Sequence, residues 1–443
     1  MSDTAYGLRR RELLQRAGAG GVLLASGSLL SACGLSEDDS GGGGGGTTLK
    51  IGYIRPQTGP LAGFNEGDPY VLSLVREAYR KGITGGDGKK YTVQIVAKDA
   101  ASDQARAAEV ARQAMLEDKV DLIITGGTPT IGNPVSDQAE AQGVPHIVTL
   151  NPWESWFMGR GGTKDKGFRY GALFFPGGSV EVEGVPPVFE QMGEQSGNQT
   201  IGALWPNNVD GDTFREVFTP AIKEIGYELV DPGPYAEPSQ NYSTQIGRFR
   251  QGDAGILTGC PDTPNFATFW RQARQSGYRP YGAYIHKAIL FPAAVESLGD
   301  LGENLCTSAW WTPDVPYTSQ LNGMTSKEFG DGYEREIGKQ WHQPSAFWYA
   351  AFEVAAQLIE NTPEPKDKDA LASTLIKMKG DTLVGPYDFG GGPTPNVHVN
   401  PIFPTQWVRG QGKYPFDLNI IDNTLAPDVK VTGELQPLPD ARV

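Results

Sequence analysis

The side chains able to do chemistry in this chain cluster in a few loops. Gly126-Gly127-Thr128-Pro129-Thr130-Ile131-Gly132 leads from the apolar run Val120 to Thr125 into a helical segment. Backbone N–H groups at such a helix start, with hydroxyls beside them, make a seat for a carboxylate or other anion; plain capping and turn chemistry uses the same residue types. The loop has neither the lysine nor the spacing of a phosphate-binding P-loop. Phe64, Trp153, Trp205, Trp310 and Trp311 fall at the carboxyl ends of predicted strands or in the loops that follow. Any one of them reads equally well as core packing, whereas several at one rim point to stacking on an apolar or planar solute. Catalytic machinery is not evident. His146, His286, His342 and His398 are far apart, and there is no His-Glu-x-x-His, Cys-x-x-Cys or Gly-x-Ser-x-Gly pattern. A binding protein without metal or cofactor is therefore expected, with a hydrolase built on a scattered triad as an alternative.

Composition narrows the partners. The 443 residues carry 38 Lys and Arg against 52 Asp and Glu, a formal net charge of -14. Sequence-independent nucleic-acid binding depends on basic side chains neutralising phosphates, so an acidic chain without a basic stripe excludes it.

The elements that must position these loops alternate. Leu49 to Ile54, Tyr91 to Ala97, Val120 to Thr125 and Val144 to Thr149 read as short strands. Between them, Asp103 is placed to cap a helix over 103–117 with a small-residue stripe. The pattern restarts with strands at 200–205, 227–230, 254–258, 282–285 and 305–310, helices near 211–225, 240–250 and 263–276, and later helices at 344–361 and 367–378. Alternation with short connections implies parallel sheets covered on both faces by right-handed crossovers. Two doubly wound α/β lobes are expected, with ligand bound beyond the carboxyl ends of their strands.

Residues 1–32 read as an export signal: Arg9, Arg10, Arg11 and Arg16 precede a weakly apolar stretch, in a pattern resembling the twin-arginine type. Leu30-Ser31-Ala32-Cys33 resembles the bacterial lipobox, which implies acylation of Cys33, and the glycine-rich residues 33–48 form a flexible tether. An extracytoplasmic, lipid-anchored protein is expected. Cys260 and Cys306 are left either bridged or as two buried thiols.

In ordered blocks over residues 48–425 the chain resembles the leucine/isoleucine/valine-type solute-binding proteins of ABC importers. The blocks are Lys50-Ile51-Gly52-Tyr53-Ile54 with Thr58-Gly59-Pro60, Val96-Ala97-Lys98-Asp99 with Ser102-Asp103, Gly143-Val144-Pro145, Phe269-Trp270-Arg271-Gln272-Ala273-Arg274, and Val384-Gly385-Pro386-Tyr387. The resemblance implies the type I periplasmic-binding fold: lobe 1 from 49–174 and 312–398, lobe 2 from 175–311 and 399–443, joined by a three-crossing hinge that closes on solute. It also implies a monomer that captures a small organic solute of the amino-acid, amide or carboxylate class and hands it to permease and ATPase subunits. A ligand-sensing subunit of a receptor is the alternative use of the same clamp. Residue by residue, the resemblance assigns Thr130, with Thr128, to the ligand's carboxylate, and Asn151 and Trp153 to the next loop of the mouth. Where amino-acid binders place an acid for the ammonium, this chain has Tyr284, His286 and Lys287, which leaves Asp210 as the candidate or as a helix cap. Phe64, Trp205 and Trp310 complete the expected wall.

Overall fold

A computed structural model describes residues 47–441. The export signal, Cys33 and nearly all of the tether lie outside the described residues. In chain order the first part runs β1 (Thr47–Arg55), α1 (Asp68–Tyr79), β2 (Ile83–Thr84), β3 (Lys90–Asp99), α2 (Gln104–Leu116), β4 (Leu122–Gly126), α3 (Pro129–Ala141), β5 (His146–Thr149), α4 (Trp153–Phe157) and β6 (Gly171–Phe174). The middle part runs α5 (Gly178–Gly184), α6 (Pro186–Ser196), β7 (Thr200–Leu204), α7 (Val209–Glu224), β8 (Glu228–Val230), α8 (Ser243–Gln251), β9 (Ile256–Gly259), α9 (Thr263–Gln275), β10 (Gly282–Ile285), α10 (Pro292–Glu296) and β11 (Cys306–Ala309). The last part holds α11 (Ser326–Ile337), α12 (Gln343–Asn361), α13 (Lys368–Leu375), β12 (Lys379–Thr382), β13 (Gly385–Asp388), β14 (Val397–His398), β15 (Phe403–Arg409) and β16 (Phe416–Ile420).

Two seven-stranded sheets result, ordered β14-β6-β5-β4-β1-β3-β2 and β16-β15-β11-β10-β9-β7-β8. Their centres are parallel, as the alternating pattern requires. Antiparallel pairing enters only at β2 in the first sheet and through β15 and β16 in the second. The chain passes from one sheet to the other after β6, after β11 and after β14.

Local chemistry sets the helix starts. Asp103 accepts a hydrogen bond from the Arg106 N–H at 2.7 Å, satisfying one of the free donors of α2. Thr325 and Glu328 form a reciprocal capping box at α11. The apolar α12 is buried along almost its whole length against the first sheet, with Trp348 edge-on to Tyr53 at 5.2 Å. Burying one such side chain contributes roughly 1.5–3 kcal/mol. Cys260, just after β9, and Cys306, opening β11, are both free and buried. Among the described residues no helix is long and apolar enough to cross a membrane.

Candidate functional site

The loops at the carboxyl ends of the parallel strands converge on one cavity of about 70 Å³. From the first sheet come Thr128 after β4, Leu150 and Pro152 after β5, and Phe64 from the short turn at Ala62–Asn65. From the second come Asp210 and Phe214 of α7, His286, Lys287 and Leu290 after β10, and Trp310 after β11. The crossing after β6 adds Phe175, Pro176, Gly177 and Glu181. A space of about 10–15 Å³ on this measure holds one water, so the cavity has room for roughly five. That suits one small organic molecule. A larger hollow of about 380 Å³ adjoins it and shares Thr128, Pro129, Asp210 and Lys287 with it.

The backbone at the start of α3 is forced into an uncommon shape. Gly126, Gly127 and Thr128 have φ of 158°, 90° and 137° in succession. A Cβ on Gly126 would stand 1.9 Å from the Thr149 carbonyl oxygen. A non-glycine residue in this region costs on the order of 1–3 kcal/mol, and such strain gathers at ligand sites. The result is a buried Thr128 hydroxyl that neither caps α3 nor finds another partner among the described residues. The Thr130 N–H makes no backbone hydrogen bond there either.

Charge on the other wall is organised around two carboxylates. Glu181 is buried; its Oε2 accepts from the Ser308 hydroxyl at 2.6 Å and lies 3.1 Å from His286 Nδ1. His286 Nε2 in turn lies 3.2 Å from Thr258 Oγ1. Thr258, His286 and Glu181 thus have the connectivity of a nucleophile, base and orienting acid. Thr258 is fully buried and does not border the cavity, so the chain of contacts orients His286 and activates nothing a solute can reach. Lys287 sits 2.7 Å from both Asp210 and Asp262. Burial works against its charge, yet Asp210 and Asp262 overcome that and hold its pKa above the usual lysine range.

Of the residues assigned from sequence, Phe64, Thr128, Asp210 and Trp310 are brought together around the cavity, and Thr130 is exposed on the adjoining hollow. Asp210 faces Lys287, so an incoming ammonium would compete with that lysine for it. Four of the assigned residues border neither the cavity nor the hollow. Asn151 is fully buried beneath α3 and donates to Asn133 at 3.1 Å. The Trp153 indole donates to the Ser179 hydroxyl at 2.9 Å, while Glu154 accepts from the Gly178 and Ser179 N–H groups, so this pair braces the start of α5. Trp205 is buried beside Phe214 and Phe218, and Tyr284 points into the second lobe's core with its hydroxyl 2.8 Å from Ser308. Tyr284 lies within β10, Trp205 directly follows β7, and Asn151 and Trp153 belong to the turn into α4; in each case the local backbone aims the side chain away from the cavity. Glu181, Phe175 and Phe214 were not singled out. Val180-Glu181-Val182-Glu183 alternates like a strand, and nothing in its spacing marks a seven-residue helix at a crossing.

A family model for periplasmic binding proteins matches residues 48–412. The chain belongs to the periplasmic binding protein family. No curated protein matches it by sequence. Among solved structures, periplasmic binding proteins of the same fold include the leucine-binding protein LivK of Thermotoga maritima, at 17% identity and TM-score 0.67, covering 83% of this chain and 97% of that one. A solute-binding protein of an ABC transporter from Rhodopseudomonas palustris BisB5, in complex with 3,4-dihydroxybenzoic acid, aligns at 17% identity and TM-score 0.67 over 88% and 99%. LivJ of Streptococcus pneumoniae, in complex with isoleucine, aligns at 15% identity and TM-score 0.67 over 84% and 99%. At these identities the likeness establishes the type I periplasmic-binding fold.

Proposed function

We propose that this periplasmic binding protein captures one small organic solute in the cavity between its sheets and delivers it to an ABC permease, working as a monomer held at the membrane through acylated Cys33. The observation that carries the reading is the cavity itself, whose wall is shared by both sheets and by the crossing between them. A solute there touches both lobes at once, so binding favours whichever hinge angle closes on it. The hinge boundaries near 174, 312 and 398 belong to the same proposal.

Wall chemistry narrows the solute. The free Thr128 hydroxyl and Thr130 N–H at the start of α3 suit a carboxylate or amide end. Glu181 suits a positive one, and a benzoate lying against it would be repelled. A bipolar, amino-acid-class solute fits both ends better than an aromatic acid does. Uptake by the host tests delivery: the solute recovered from purified protein is expected to enter wild-type cells and not cells lacking this chain. Unchanged uptake with a lost transcriptional response would instead mean a sensing subunit.

A further inference from the structure

The solute-binding reading leaves open what kind of positive group Glu181 receives, and the cavity wall speaks to it. Four aromatic rings line the space: Phe64, Phe175, Phe214 and Trp310. Phe175 and Trp310 meet edge-on at 4.7 Å, and Phe214 lies 4.8 Å from His286, whose Nδ1 holds Glu181 Oε2. Both hydrogen bonds to Glu181 fall on Oε2, leaving Oε1 without a partner among the described residues. Glu181 is also the lining carboxylate with no lysine or arginine on it, since Asp210 has Lys287. The other side-chain acceptors on the wall are the Thr128 hydroxyl, the already paired Asp210, and the His286 ring, whose nitrogens are engaged by Glu181 and Thr258.

A primary ammonium brings three N–H donors, each of which needs an acceptor once buried. Rings and aliphatic carbon supply none. A methylated ammonium brings no such demand: its charge is spread over methyl groups that pack on aromatic faces, where the ring quadrupole attracts them, and a carboxylate completes the neutralisation. Resting on the reading of the cavity as the solute site, we infer that the solute carries a methylated ammonium group, seated among Phe64, Phe175, Phe214 and Trp310 against Glu181.

Calorimetric titration of the full chain with choline, trimethylglycine, leucine, 4-hydroxybenzoate and the carbon isostere of choline tests this. The isostere has a tert-butyl group where choline has trimethylammonium, so the two differ in charge and hardly in shape. At least one of the two methylated cations is expected to bind about tenfold or more tightly than the isostere and leucine. Phe214→Leu keeps an apolar side chain and is expected to weaken the cation about tenfold and the uncharged isostere by a clearly smaller factor. Glu181→Gln should do the same, and if it fails to fold, as judged by its melting transition, Phe214→Leu decides alone. Tighter binding of leucine or 4-hydroxybenzoate overturns this inference and leaves the solute-binding reading standing. Binding of none of the five also overturns it, and the separate fate of the solute-binding reading is then decided by the uptake experiment above.

Discussion

Gly126→Ala is expected to lower stability by about 3–5 kcal/mol and to abolish solute binding in whatever protein still folds. Two costs add. The residue sits at φ 158°, and its new Cβ would press to 1.9 Å from the Thr149 carbonyl oxygen, a backbone atom of the neighbouring strand that cannot swing away. Relief requires moving β4 from β5, which pair through Gly126 and Thr149, and with it the Thr128 hydroxyl at the cavity wall. Urea unfolding with intrinsic fluorescence reads the stability directly. A loss below about 1 kcal/mol would mean that the loop is far more pliable than its geometry implies.

The second large effect is acid lability. His146 is fully buried, with Nδ1 3.2 Å from the Val144 carbonyl oxygen and Nε2 without a partner among the described residues. Burial first, and the Arg160 charge second, hold its pKa down to about 3. His342, buried beside Ser345, is held down to about 4 chiefly by burial. The unfolded chain therefore binds protons that the native state refuses. Stability is fully present above about pH 6.5 and is lost as pH falls through these lower values, by about 5 kcal/mol for His146 and about 3 for His342. His398, held down to about 4 by burial, acts in the same direction. Glu353 opposes them: burial raises its carboxyl to about 7 although it accepts from the Gln320 and Leu383 N–H groups, so its contribution is fully present below about pH 4.5 and declines as pH rises through 7. The histidines outweigh it. The unfolding free energy read from urea titrations is expected to fall by several kcal/mol between pH 7 and pH 4. His146→Asn, which retains a donor for the Val144 carbonyl, should flatten that slope; equal stability at both pH values would contradict the assignment.

Much of this was legible in the sequence, and the exceptions have physical reasons. Alternating apolar strands and capped helices suffice to place the parallel centres of both sheets but not the outer strands β2, β6, β14, β15 and β16, because period and caps are local signals: Asp103 is placed to cap its helix and does. The loop at Thr128 was legible because two glycines before a threonine and a proline announce an unusual backbone ahead of a helix. Side-chain direction was not. Trp153, Trp205 and Tyr284 lie at or just after the strand ends, yet whether such a residue faces solvent, core or cavity depends on local backbone direction and on neighbours distant in sequence, such as Ser179 and Ser308. Glu181 was hidden for a similar reason. Its partners His286 and Ser308 lie 105 and 127 residues away, and only the meeting of the crossing with the second sheet brings them together.

The most direct measurement of the central claim is calorimetric titration of the full chain and of Leu290→Trp against a panel of amino acids, betaines and small carboxylates. Leu290 is buried on the cavity wall, and an indole in its place fills the space without adding charge. The account predicts one solute site per chain, removed by Leu290→Trp while the melting transition persists. A site that survives in a folded Leu290→Trp protein, or a wild-type chain that titrates with nothing in the panel, would contradict it.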